Sequence, residues 1–298
     1  MSRRTPGTVT PQNLHQYVRQ QIDRVRTSVQ TVLQPGHPRP ETLHDLHRDL
    51  RRLRVIIAWR RKVVPPRPPA DLEELSGRLR RLTRLVGRVR DLDVELALWR
   101  TYRPGPRRTD PGPRRALATF GHRLQDDSRT GRELLRATLL ADVNAGLLER
   151  LESSLSRTTT PAAAKSLACA IEKERRRLAD RAARLRRRAL RDPDADRLHE
   201  FRVLIRRLRY LSDLEDRLEG RPGSTFPARY AGALRRLGEL HDRDVLAAHL
   251  DSVDPTHREE LWSLRFRAEH RQLRKDLLKE LKELHPRRHL GRTRADNP

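Results

Sequence analysis

The segment LHEFRVLIRRLRY, residues 198–210, concentrates side chains that bind anions. It carries one histidine and four arginines in thirteen residues. Apolar residues three and four positions apart predict a helix, and at 100° per residue most of the basic side chains collect in an arc of about 80° away from the apolar face. This arc holds His199, Arg202, Arg206 and Arg209. Like charges one turn apart repel by roughly 0.2–0.5 kcal/mol per pair, so we expect an anion or buried acids to offset the arc.

A second copy of this pattern lies earlier in the chain. The segment LHDLHRDLRRLRVII, residues 43–57, matches residues 198–212 at an offset of 155. The corresponding basic positions are His44, Arg51, Arg52 (which matches Arg207) and Arg54, with Arg48 close by and His47 in place of Arg202. A charge run is usually a solvated face. Such a face interleaves acids with bases, whereas this arc is almost purely basic and recurs with a histidine at the same end. The recurrence therefore favours a binding surface.

A pair of aspartates follows each basic segment. VGRVRDLDVELAL, residues 86–98, matches LGELHDRDVLAAH, residues 237–249, at an offset of 151. We expect the acids of these motifs to orient arginines or histidines of the neighbouring helix; they are Asp91, Asp93, Asp242 and Asp244. They are alternatively ordinary surface acids, or part of a metal site with His44 or His199, because carboxylate and imidazole suit a divalent ion. No tight metal spacing such as HExxH occurs, and both histidines also fit a packing role.

Further arginines extend the predicted anion surface. The core face of the third predicted helix is flanked by Arg78, Arg81 and Arg88, and Arg229 matches Arg78 in the repeat. In the first helix, Arg24 aligns with Arg177 of the fifth. The fifth helix carries other basic residues in EKERRRLADRAARLRRRAL. We expect about half of all these additional basic residues to face water, as charge runs usually do.

The composition points to an anionic partner. The 298 residues carry a formal net charge of +26, and sixty of the 66 basic residues are arginines, whose guanidinium group grips phosphate oxygens in a bidentate way. A GC-rich genome would favour arginine over lysine, but it does not explain the net charge. The single cysteine, Cys169, excludes an intrachain disulfide and a cysteine-based zinc site. No signal peptide or membrane span is recognisable, so we expect a cytoplasmic protein.

The same residues give little support to catalysis. No glycine-rich phosphate loop or G-x-S-x-G motif occurs. Cys169 sits in SLACAIE and is most simply a small core residue. We expect a protein that is not an enzyme and holds no cofactor or metal ion.

Proline and glycine divide the chain into segments with helical periodicity. These segments predict eight helices, near 10–34, 41–62, 70–101, 114–156, 162–190, 195–219, 227–251 and 256–284. Gly121 and Gly131 are candidate breaks in the fourth. The repeat offsets predict two four-helix bundles, one over 10–157 and one over 161–285, with a flexible N-terminus at 1–9 and a basic tail at 286–298.

The duplicated motifs resemble a known family. The pattern H-x-x-R-x-x-x-R-R-L-R followed by L-G-x-x-x-D-x-D-V is similar to that of the CHAD domain, the conserved histidine α-helical domain, and the resemblance covers roughly residues 10–285. The second repeat fits best, through His199, Arg202, Arg206, Arg207, Arg209, Gly238, Asp242 and Asp244. The first repeat departs from the pattern at His47, in place of arginine, and at Val86, in place of leucine.

The resemblance implies both a fold and a function. The expected fold is all-α, with two four-helix bundles related by pseudo-twofold symmetry and a basic groove or pore between them. The expected ligand is inorganic polyphosphate, with association with polyphosphate granules and possible partners among polyphosphate-metabolising enzymes. Motifs of the triphosphatase domain often fused to CHAD domains are absent, which suggests a stand-alone binding protein. Alternative functions are nonspecific nucleic-acid binding and, less favoured, metal-dependent phosphohydrolysis.

Overall fold

The computed structural model describes residues 11–36, 38–63, 70–103, 111–156, 161–219, 226–253 and 264–285. Within these ranges the chain forms nine α-helices and no β-strand. The helices are α1 (Pro11–Leu33), α2 (Pro40–Val63), α3 (Ala70–Tyr102), α4 (Pro111–Asn144), α5 (Leu147–Ser156), α6 (Pro161–Arg191), α7 (Ala195–Leu218), α8 (Ala228–Val253) and α9 (Leu264–Glu283). The expected flexible N-terminus at 1–9 and basic tail at 286–298 lie outside the described residues. Among the described helices, none combines the length and the apolar character needed to cross a membrane.

The fourth predicted helix is two helices, and the break lies at a different glycine from those expected. The chain turns at Gly146, whose φ of 60° is in the left-handed region that glycine adopts without strain. Gly121 and Gly131 instead lie inside α4, where they let α3 approach closely. A Cβ atom on Gly121 would meet Nε1 of Trp99 at 2.7 Å, and one on Gly131 would meet Cγ2 of Val89 at 3.3 Å.

Local sequence fixes the start and the rotation of α7, one of the helices that carry the basic segments. Asp194 is its N-cap, and its side chain accepts a hydrogen bond from the backbone N–H of Arg197 at 2.7 Å. Phe201, Ile205 and Leu208 are fully buried on one side of the helix. This apolar face sets the direction in which the basic arc of α7 points.

The two halves of the chain share their hydrophobic core. α1 packs on α2 and α2 on α3, while α6 packs on α7 and α7 on α8. Across the halves, α2 contacts α6 and α7, and α3 contacts α8. A single large core cluster extends from Leu14 in α1 to Leu284 after α9. A second, smaller cluster around Trp99, Phe120 and Phe266 joins α3 and α4 to α8 and α9. Helices α2, α3, α7 and α8 therefore pack on one another both within and across the halves.

Candidate functional site

Charged and imidazole side chains gather where α2, α3, α7 and α8 meet. We call this group the central cluster. It consists of His44, His47 and Arg51 of α2, Arg90 and Asp91 of α3, His199, Arg202 and Arg206 of α7, and His241 and Asp242 of α8. The members interact across the boundary between the halves. Arg51 acts electrostatically on Arg202 and Arg206, and Arg90 acts on Arg202 and Asp242.

The arginines of the central cluster are held close together and partly shielded from water. Burial, followed by the charge of Arg51, lowers the pKa of Arg206 to about 10. Burial also lowers the pKa of Arg202, with Arg51 and Arg90 adding to the effect against the opposing charge of Asp242. Within the described ranges, none of Arg51, Arg202 and Arg206 forms an ion pair with a carboxylate. These guanidinium groups therefore keep their hydrogen-bond donors available for a ligand.

The two aspartates of the cluster offset only part of this charge. Asp91 accepts a hydrogen bond from Arg90 at 3.2 Å, and it feels the charges of Arg51, Arg202 and Arg206. Burial raises the pKa of Asp242, although Arg90 and Arg202 act in the opposite direction. With neutral histidines, four arginines and two aspartates leave the cluster with two net positive charges.

The four histidines of the cluster favour the neutral form. Burial, followed by nearby arginines, lowers the pKa of His47 to about 3 and that of His241 to about 4. The same causes, in partly exposed positions, lower the pKa of His44 and His199. The Nδ1 atoms of His199 and His241 lie 3.2 Å apart, so a ring that carries its proton on Nδ1 donates a hydrogen bond to the unprotonated Nδ1 of the other. Each histidine can take up a proton when an anion arrives.

Histidine and arginine exchange places between the halves. The offset of 155 pairs His47 with Arg202, and the offset of 151 pairs Arg90 with His241. The first half therefore has histidine on α2 and arginine on α3, and the second half has arginine on α7 and histidine on α8. Where the first half departs from the pattern at His47, Arg90 brings a guanidinium group near it from the next helix. Sequence reasoning did not select Arg90 or His241, although aligning the two motifs pairs these positions.

The two aspartates of each motif point to different neighbours. Asp91 and Asp242 belong to the central cluster. Asp93 instead accepts hydrogen bonds from Nη2 of Arg132 at 2.5 Å and from Ser128 at 3.2 Å, both on α4. Asp244 contacts Nε2 of His270 at 2.7 Å on α9. In each half the second aspartate therefore joins its helix to the last long helix of that half.

Comparisons with known proteins identify the family and the fold of the chain. The CHAD domain family model matches residues 16–251. The chain belongs to the CHAD domain family. A solved structure of the CHAD domain from the plant Ricinus communis is similar, with a TM-score of 0.64 and 22% identity over 97% of this chain and 94% of that chain. PptA from Streptomyces chartreusis is also similar in fold, with a TM-score of 0.52 and 18% identity over 93% of this chain and 96% of that one. No curated protein matches the chain.

Several predicted site residues of this CHAD domain lie outside the central cluster, in ion pairs of their own. Arg78 forms a two-pronged contact with Asp142 of α4 at 2.8 and 3.2 Å. Arg177 and Arg207 share Glu174, each with a contact of 2.7 or 2.8 Å. The others are Arg48, which pairs with Asp45 and Asp49, and Arg52, which pairs with Asp49 and Asp213.

The remaining predicted arginines lie at the surface or extend the cluster. The exposed ones are Arg24, Arg81, Arg88, Arg209 and Arg229. Arg54 is half-buried, and burial lowers its pKa together with the charges of Arg51, Arg80 and Arg84. The basic surface of this CHAD domain thus continues from Arg51 along α2 and α3. In the described part of the chain, no three His, Cys, Asp or Glu side chains are grouped in a way that could hold a metal ion.

Proposed function

We propose that this CHAD protein binds inorganic polyphosphate at the central cluster. One observation carries the proposal: Arg51, Arg202 and Arg206 come together from both halves of the chain without forming ion pairs among the described residues. Arginine donates parallel hydrogen bonds to phosphate oxygens. A linear polyanion would neutralise the mutual repulsion of these groups along its length.

The same residues favour polyphosphate over nucleic acid. Proteins that bind single strands stack the bases on aromatic side chains, and base-edge readout needs an element that enters a groove. Aromatic residues make up 4% of the chain. Tyr210 is the aromatic side chain that acts on Arg206, and no Phe, Trp or Tyr is a member of the central cluster. Polyphosphate presents phosphate oxygens without bases, and it is also the ligand that the family resemblance implied.

A competition titration tests this proposal. The purified protein is titrated with long-chain polyphosphate in the presence of single-stranded DNA at matched phosphate concentration and salt. We expect tight polyphosphate binding that DNA does not displace, and an affinity that falls linearly in log salt as counterion release weakens. Equal competition by DNA would favour a nonspecific nucleic-acid binder instead.

We further propose that the protein binds polyphosphate without cleaving it and associates with polyphosphate granules, where it would meet polyphosphate-metabolising enzymes. The cluster supplies cations and neutral imidazoles, which hold a phosphate chain in place. Release of free phosphate from polyphosphate with added divalent ions would contradict the binding-only role. Loss of granule association after removal of the cluster arginines would support the cellular role.

A further inference from the structure

The outer face of α6 carries a second concentration of positive charge. We call it the α6 stripe, and it consists of seven exposed side chains. They are Lys173, Arg177, Arg181, Arg184, Arg187, Arg188 and Arg191. At 100° and 1.5 Å per residue they fill an arc of about 120° over about 27 Å. Asp180 is the acid within this arc. Arg177 is paired with Glu174, whereas the other six basic residues form no ion pair among the described residues.

The α6 stripe lies on a different face from the central cluster. The buried residues of α6, among them Leu178, Ala182 and Ala189, centre about 140° away from the stripe at 100° per residue. That buried face packs on α1, α2, α7 and α9. On α7, Arg207 pairs with Glu174 at the edge of α6, while Arg206, one residue earlier, belongs to the central cluster. The molecule therefore presents two separate basic surfaces.

Duplication and codon usage do not explain the α6 stripe. The core residues Leu14 and Leu167 place α1 and α6 in register at an offset of 153. At the seven matching positions of the first half stand Gln20, Arg24, Ser28, Thr31, Gln34, Pro35 and Pro38. Only one of these is basic. A general bias toward arginine would act on both copies, so the stripe is a property of the second half alone.

We propose that the α6 stripe is a second polyphosphate-binding surface, which lets one molecule hold two chain segments and cross-link polyphosphate. The proposal rests on the proposed function of the central cluster. Six of the seven basic side chains are arginines, which suit phosphate oxygens better than lysine because they bind in a bidentate way. The sequence of α6 contains no Phe, Trp, Tyr or His, so the stripe offers no platform on which bases could stack.

Two matched variants test the proposal. The stripe variant replaces four exposed arginines of α6, R181Q, R184Q, R187Q and R188Q. The control variant removes the same charge from exposed arginines of α3, α4 and the turn after α3 that also lack ion pairs among the described residues, R100Q, R103Q, R115Q and R123Q. Glutamine keeps a high helix propensity, so both variants should fold.

The readout is light scattering on addition of long-chain polyphosphate, with binding of a short chain measured in parallel. Loss of a second binding surface removes cross-linking, so we expect the protein concentration at which the stripe variant scatters to rise about tenfold. Short-chain binding at the central cluster should remain. Scattering by the stripe variant equal to that of the control would overturn the proposal. A failure of the proposed function shows differently, as short-chain binding by the stripe variant that the further changes R51Q and R206Q do not weaken.

Discussion

Asp91 and Asp93 are two residues apart on α3 but serve different surroundings. Asp91 lies among the arginines of the central cluster, whereas Asp93 binds Arg132 of α4. Asp242 and Asp244 repeat this division in the second half, with His270 as the partner of Asp244. Their spacing therefore places one carboxylate in the central cluster and one in the packing between helices.

Neutralising the two kinds of aspartate should change two different properties, ligand affinity for one pair and stability for the other. D91N with D242N removes negative charge from the cluster, so we expect polyphosphate affinity to rise several-fold. D93N with D244N weakens charge-assisted contacts between helices, so we expect a loss of about 1–3 kcal/mol in the free energy of unfolding with little change in affinity. Polyphosphate titration and urea denaturation of both double variants measure the two effects. A fall in affinity for D91N with D242N would contradict this division.

His47 makes the stability of the free protein depend on pH. Its pKa is lowered to about 3 in the fold, below the unfolded value of roughly 6.5. The unfolded state therefore takes up a proton first, and the stability that the neutral ring contributes is full above about pH 6.5 and is lost as the pH falls toward 3. At pH 5 this loss should reach about 2 kcal/mol for His47.

Bound polyphosphate should favour protonation of the histidines in the central cluster. An anion beside His47 and His241 favours the imidazolium form and raises the pKa of both rings, so binding takes up protons and affinity should rise from pH 7.5 to pH 5. The increase in Tm caused by saturating polyphosphate should accordingly be larger at pH 5. Thermal melts with and without ligand measure this, and H47Q with H241Q should flatten the pH dependence. An affinity independent of pH in the unmodified protein would show that these histidines do not face the ligand.

At the scale of the helices, periodicity predicted most of the elements but not how they touch. Leu198, Phe201 and Ile205 in the sequence were enough to predict α7 and its basic arc. The break at Gly146 was missed. A glycine inside a helical pattern either ends the helix or lets a neighbouring helix approach closely, and the sequence does not distinguish the two. Gly121 belongs to the second kind, since it accommodates the ring of Trp99.

Alanine substitution tests the close approach of α3 at Gly121. G121A places a methyl group 2.7 Å from Nε1 of the buried Trp99 ring, so we expect a loss of about 1–3 kcal/mol in the free energy of unfolding despite the better helix propensity of alanine. G77A is the control, because its Cβ would lie 3.7 Å from the flexible guanidinium group of Arg80. It should gain about 0.4–1 kcal/mol. Equal changes in urea denaturation would mean that α3 and α4 are not packed closely at Gly121.

At the scale of the whole molecule, the repeat predicted corresponding basic arcs but not the full membership of the cluster. His199, Arg202 and Arg206 were chosen from the charge pattern alone. Arg90 and His241 were not, because their part depends on α3 and α8 meeting across the halves. Arg78 was chosen, yet it pairs with Asp142 within the first half. Side-chain contacts between helices that are far apart in the sequence leave little trace in the periodicity of either helix. Such contacts are therefore visible only in the folded structure.

The site requires both halves, since Arg51 belongs to the first and Arg206 to the second. The shared core keeps them together: Trp99 of α3 and Leu246 of α8 belong to one cluster of buried residues. A polyphosphate chain at the central cluster would therefore contact both halves at once.

The most direct test compares polyphosphate titrations of two double variants at one salt concentration. R51Q with R206Q removes the facing arginines of the central cluster, and R52Q with R207Q removes the same charge one residue along, where both side chains are paired with carboxylates. We expect the first to lower affinity at least about tenfold, or about 1.4 kcal/mol, and the second to change it less than about twofold. Equal losses in the two variants would mean that net charge alone attracts the ligand and that the central cluster is not its site.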